Sequence, residues 1–127
     1  MKEFEQNYMK LQVIITGTTG MVGKGVLLEC LESDLVESVL VINRTTVGIT
    51  HPKLREVLHQ NFYDITPIAD SLQGYNACFL NMGVTSVGKS EEEFAKLTYD
   101  ITTHMAAVIL EKNPDCLCTY VSGTGTD

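Results

Sequence analysis

Three glycines at positions 17, 20 and 23, within VIITGTTGMVGKG from Val13 to Gly25, have the spacing in this chain that points most directly to chemistry. A glycine-rich turn between a strand and a helix brings backbone N–H groups and the positive end of the helix dipole up to a phosphate. Two phosphate motifs compete for the stretch. A P-loop has the form GxxxxGK followed by Ser or Thr. Aligned on Gly23 and Lys24, it would need a glycine at 18 and a hydroxyl at 25, where the chain carries Thr18 and Gly25. The spacing GxxGxxG does fit. In such a turn Gly17 permits the tight bend, Gly20 admits a pyrophosphate to the backbone, and Gly23 lets the helix pack closely on the strand.

The end of the second strand bears on which dinucleotide fits. An acidic side chain there would accept hydrogen bonds from the adenosine ribose diol of NAD. This chain places Asn43 and Arg44 at that point. With no carboxylate read there to repel a 2′-phosphate, and a guanidinium able to bind one through charge-assisted bonds, NADP is favoured, with NAD as the alternative.

These residues need a scaffold, and the hydrophobic pattern supplies one. Leu11–Thr16 is a β-branched run ending in glycine and reads as a buried strand. From Met21, the apolar positions Val22, Val26, Leu27 and Leu31 recur at helical spacing, predicting a helix that ends near Ser33 and Asp34. Ser38–Asn43 is apolar on both faces, as a central parallel strand must be. Lys53–Gln60 fits a strand or a helical turn, and we read a strand; Asp64–Leu72 reads as a weak helix with Pro67 in its first turn. Asn76–Gly83 is a further buried strand. Ser90 and Glu93 match a capping box, and Phe94, Leu97, Ile101, Met105 and Val108 form the apolar stripe of a long helix closed by Asn113 and Pro114. Cys116–Ser122 is the last strand. Alternation of strand and helix predicts an α/β doubly wound parallel sheet, a Rossmann fold, over a single domain spanning 1–127.

Composition narrows the partners. A formal charge of −7 removes the basic stripe that nucleic-acid binding needs, and no apolar run approaches a membrane span. The N-terminal MKEFEQNYMK has no apolar core of a secretory signal, so a cytoplasmic location is expected. The four cysteines show no CxxC pair, and their apolar settings predict buried reduced thiols.

TGTTGMVGKGVLLECL, with VINR, NMGVTS and YVSGTG, resembles the short-chain dehydrogenase/reductase superfamily, in its extended and atypical branch of NAD(P)-binding epimerase-like and NmrA-like proteins. The resemblance runs from Leu11 onward. It implies a Rossmann fold that binds NAD(P) and acts on carbonyl or sugar-type small molecules. It assigns the cofactor loop to Thr16, Gly17, Thr18, Thr19, Gly20, Met21, Val22 and Gly23, and the adenosine-phosphate role to Arg44 beside Asn43. Asn81, Met82 and Gly83 fall where the family's backbone passes the cofactor ribose and nicotinamide, and Ser122 matches the catalytic Ser that bonds the substrate oxygen.

The family's acid/base Tyr and its Lys lie further along, in a YxxxK motif that this sequence does not contain. Tyr99 and Tyr120 have no Lys four residues later and read as packed structural residues; Asp100 falls where the family often has Asn, and His104 reads as a partly buried helix residue. The sequence stops just past a strand, so we expect either a longer protein supplying the acid/base and substrate pocket, or a homo-oligomer covering the edge. Two functions follow: an NADP(H)-favouring oxidoreductase or epimerase, or a non-catalytic NADP-binding regulatory module.

Overall fold

The computed structural model describes residues 10–18, 21–81 and 90–121. Its elements are β1 (Leu11–Thr16), α1 (Met21–Glu32), β2 (Val36–Asn43), β3 (Leu54–Leu58), a 3₁₀ segment (Thr66–Leu72), β4 (Ala77–Asn81), α2 (Glu91–Lys112) and β5 (Leu117–Val121). The five strands form one sheet in the order β3-β2-β1-β4-β5, with every pairing parallel. This is the doubly wound α/β architecture expected from the sequence.

Strand alternation sorts the apolar side chains into two cores. On β1 and β2, Val13, Ile15, Val39 and Val41 pack with Leu27, Cys30 and Leu31 of α1 on one face. Ile14, Leu40 and Ile42, one residue out of phase, pack on the other with Ile101, Met105 and Ile109 of α2 and with Ile65 and Leu72. Successive strand residues point to opposite faces, so a run with no polar residue is what a sheet covered on both sides requires.

The caps of α2 follow the sequence. Ser90 Oγ accepts from Glu93 N at 3.1 Å, and Glu93 Oε1 accepts from Ser90 N at 3.0 Å. At the far end, buried Asn113 donates to the carbonyls of Ile109 and Leu72 and accepts from the N–H groups of Gly74 and Tyr75. One amide thereby terminates α2 and ties down the chain entering β4.

Two elements differ from expectation. β2 begins at Val36, two residues before the predicted Ser38, because Val36 adds a buried side chain to the α1 core. The segment expected as a helix from Asp64 is a 3₁₀ segment beginning at Thr66. Asp64 Oδ1 accepts from Thr66 N and Oγ1, a local turn that competes with helical bonding, and Pro67 follows in the first turn. Between β2 and β3, where Thr, Gly and Pro mark a loop in the sequence, residues 44–53 cross without a helix, and their Val47 and Ile49 pack on the α1-side core.

Candidate functional site

The carboxyl ends of the strands gather a row of buried polar residues: Thr16 from β1, Thr18 from the turn after it, Asn43 from β2 and Asn81 from β4. Burial of this kind is stable only if every group is hydrogen-bonded, and here each is.

β1 ends in a turn at Gly17, which adopts φ +68°, a left-handed conformation that costs a side-chain-bearing residue about 1 kcal/mol or more. Gly17 N donates to Ile42 O at 3.1 Å, so the turn begins by continuing the ladder to β2. Helix α1 then packs back on it. A Cβ on Gly23 would stand 2.2 Å from the Gly17 carbonyl oxygen, so no side chain fits there. Gly17 thus makes the tight bend and Gly23 the close approach of α1 to the turn. Met21 and Val22 open α1. Thr19 and Gly20, with Met82 and Gly83 after β4, lie outside the described residues.

Asn43 braces the turn from the next strand. Its Oδ1 accepts from Thr18 N at 2.8 Å, and its Nδ2 donates to Thr18 Oγ1 at 2.6 Å and to Glu56 Oε2 at 3.2 Å. Both amide hydrogens are thus engaged within the protein, and the side chain shapes the turn rather than reaching outward. On the other side of β1, Asn81 N donates to Thr16 Oγ1, Thr16 Oγ1 to Asn81 O, and Asn81 Nδ2 to Thr16 O at 2.7 Å. These bonds hold the ends of β1 and β4 together. It is between these two strands that the winding of the sheet reverses, the place where open α/β sheets bind ligands.

Glu56 amends the expectation that no carboxylate stands near the end of β2. It comes from β3, where it accepts from Thr46 Oγ1 at 2.7 Å, from Val47 N at 2.8 Å and from Asn43. Burial pushes its carboxyl pKa upward, but the bonds from Thr46, Val47 and Asn43 together outweigh that and hold it below the ordinary value. Glu56 is ionised at neutral pH, and it fixes the start of the crossover loop. The only sequence signal for it is the charged pair Arg55-Glu56 inside a short strand flanked by Leu and Val.

Arg44 is neither buried nor fully solvated. Its guanidinium carbon lies 4.5 Å from the centre of the Phe62 ring, and its Nε donates to Gln60 O at 3.1 Å. Gln60 Nε2 returns a bond to Arg44 O. The head group is thus held over the edge formed by β2 and the segment after β3.

The remaining candidates are divided. β5 ends at Val121, at the same carboxyl edge; Ser122 falls outside the described residues. Tyr99 and Tyr120 are not packed inside as expected: they are 69% and 43% exposed. Both line an apolar groove of about 530 Å³ between α2 and β5, with Phe94, Ala95, Thr98 and Thr102. A helix face needs an apolar stripe only where it meets the sheet, and Tyr99 lies off that stripe. His104 is half-buried as expected and accepts from Ile65 N at 3.0 Å through Nε2. Asp100 pairs with Lys96 on the surface of α2. Among the described residues, no helix is long and apolar enough to cross a membrane.

No protein-family model and no curated protein sequence matches the chain. Solved structures do. A uronate dehydrogenase from Agrobacterium tumefaciens superposes with a TM-score of 0.66 at 17% identity, over 91% of this chain and 41% of that one. A putative epimerase from Bacteroides thetaiotaomicron gives 0.65 at 14% identity, over 89% and 47%. A short-chain dehydrogenase from Leptospira borgpetersenii, solved with bound NAD+, gives 0.62 at 14% identity, over 87% and 49%. At these identities the likeness establishes a common Rossmann fold. The chain spans about two fifths to one half of the length of these proteins.

Proposed function

We propose that this chain is the dinucleotide-binding part of an NAD(P)-dependent oxidoreductase or epimerase that acts on a carbonyl or sugar-type small molecule, with NADP(H) the favoured cofactor. The observation that carries the reading is the β1–α1 turn. Gly17 takes a conformation that disfavours side chains, and Gly23 leaves no room for one, so two backbones meet at the mouth of a helix beside the reversal point of the sheet. A nicotinamide dinucleotide fits such a cradle, and the fold is shared with a dehydrogenase solved with NAD+.

In this reading the backbone from Gly17 to Gly23 receives the pyrophosphate, Thr16 and Asn81 keep the ends of β1 and β4 in register beside it, and Asn43 holds Thr18 in place. Arg44 meets the adenosine 2′-phosphate, while Glu56 sets an opposing charge close by. When bound, the cofactor supplies hydride transfer. Ser122 would donate a hydrogen bond to the substrate oxygen, and a segment outside this sequence would supply the proton. The expectation of a cytoplasmic protein without nucleic-acid or membrane partners, self-associating or completed by further chain, belongs to the same proposal.

Titration of the chain with NADPH and NADH tests it. Tighter binding of NADPH, reduced roughly 10- to 100-fold in Arg44→Ala while NADH is little changed, corresponds to loss of a charge-assisted bond to phosphate of about 1.5–3 kcal/mol. Failure of both nucleotides to bind overturns the reading. Binding without turnover of carbonyl substrates in any longer form of the protein, unaltered by Ser122→Ala, would favour the regulatory-module alternative.

A further inference from the structure

Three of the four cysteines converge away from the nucleotide edge. Cys78 on β4 and Cys118 on β5 are directly opposed in the parallel register of the two strands. Cys116 stands just before β5, and all three side chains join the α2-side core, Cys78 and Cys116 within it and Cys118 against its margin. Cys118 thus neighbours both of the others, opposite Cys78 across the strand gap and two residues along the chain from Cys116. Cys30 lies in the α1-side core, across the sheet.

The three thiols are not equivalent. Cys78 is 1% exposed and Cys116 8%, whereas Cys118 is only half-buried, on the outer strand of the described sheet. Opposed residues on neighbouring strands stand about 4.8 Å apart at Cα, inside the range of about 4.4–6.8 Å that a disulfide spans. The neighbouring Cys78 thiol lowers the Cys118 pKa, against burial, and Cys116 adds to it, while Cys118 and burial raise that of Cys78. Cys118 is therefore the thiol that an oxidant from solvent reaches first, with Cys78 shielded directly across the strand gap.

We propose that Cys78 and Cys118 form a peroxide-responsive pair, in which Cys118 is oxidised first and Cys78, directly across the strand gap, closes it to a cross-strand disulfide. In the first step the Cys118 thiolate attacks one peroxide oxygen, the O–O bond breaks, and hydroxide leaves, giving the sulfenic acid. In the second, the Cys78 sulfur attacks the Cys118 sulfur, the S–O bond breaks, and its oxygen departs as water with the thiol proton. Two thiols are oxidised and one peroxide becomes two waters. The bond would staple β5 to β4 three residues short of Asn81, and a dithiol reductant would release it.

The test uses the native chain and one variant, Cys118→Ser. Each is treated with hydrogen peroxide, remaining thiols are alkylated, and the protein is weighed intact and mapped after proteolysis. The expected product is lighter by two hydrogens before alkylation, carries a Cys78–Cys118 linked peptide with Cys30 and Cys116 alkylated, and returns to four free thiols with dithiothreitol. Cys118→Ser should give no linked product. A linkage of Cys118 to Cys116 or to Cys30, oxygen adducts without any cross-link, or a Cys78 cross-link persisting in Cys118→Ser would each overturn the proposal.

Discussion

Replacing Gly23 by alanine sets two known effects against each other. Helix propensity alone favours alanine by about 1 kcal/mol. The structure opposes it: the new Cβ would meet Gly17 O at 2.2 Å and Gly17 C and Thr18 Cα at 3.1 Å. All three are backbone atoms of a turn already tied to β2 through Ile42 O and Asn43, so the turn cannot simply withdraw. Overpacking of a well-fitted contact costs about 1–3 kcal/mol. Because the atoms met here are backbone, we take the upper part of that range, for a net loss of about 1–2 kcal/mol. Gly25 lies in the same helix with nothing within 4 Å of the point a Cβ would occupy, so Gly25→Ala should gain about 0.5–1 kcal/mol. With an unfolding entropy near 2 cal/mol/K per residue, 1 kcal/mol corresponds to about 4 °C for a chain of this length. The two variants should therefore separate by about 6–12 °C in thermal unfolding followed by circular dichroism. Nucleotide titration should show weakened NADPH binding in Gly23→Ala alone. If Gly23→Ala melted with Gly25→Ala, above the native chain, the close approach of α1 to the turn would be wrong.

Other substitutions probe the polar row. Asn43→Leu leaves the buried Thr18 N–H without its acceptor and should cost about 1–3 kcal/mol in urea unfolding, together with most of the nucleotide affinity. Glu56→Gln removes the negative charge beside Asn43 and should raise the NADPH-to-NADH affinity ratio about tenfold, read by paired titrations. The same variant should flatten the acid limb of the stability curve. The Glu56 carboxyl is held below its ordinary 4.5 in the fold, so its ionised form stabilises above that value and the contribution fades as pH falls through the lower folded value. Asn113→Ala abolishes four hydrogen bonds at the opposite end of the sheet and should lower stability by about 2–4 kcal/mol while leaving nucleotide affinity per folded molecule unchanged.

Much of this architecture is legible in the sequence because it is local. The strand before the glycines, the helix after them and the Ser90 capping box each depend on residues a few positions apart, and each stands where its pattern places it. The cross-strand bonds are not legible. Thr16 meets Asn81 across 65 positions and Thr18 meets Asn43 across 25, and nothing in either residue's neighbourhood announces the partner. Sequence position alone therefore sets Asn43 facing a cofactor, when its amide is turned inward. Glu56 escapes a sequence reading for the same reason: β3 must be laid beside β2 before its carboxylate can approach the strand end. The 3₁₀ segment is half legible, its Pro67 and Asp64 marking a helix start without fixing which helix.

The helix-free passage from β2 to β3 bears on how the domain opens to solvent. β3 has β2 as its one neighbour in the described sheet, and its five residues are all half-buried or exposed. β1 is hydrogen-bonded on both sides, and Val13, Ile14 and Ile15 are wholly buried. Backbone amides of β3 should exchange with deuterium through a local release of the loop and its Glu56 clasp, while those of β1 wait for global unfolding. The β3 edge can then loosen and reclose on its own, with β1 kept in place at the centre of the sheet.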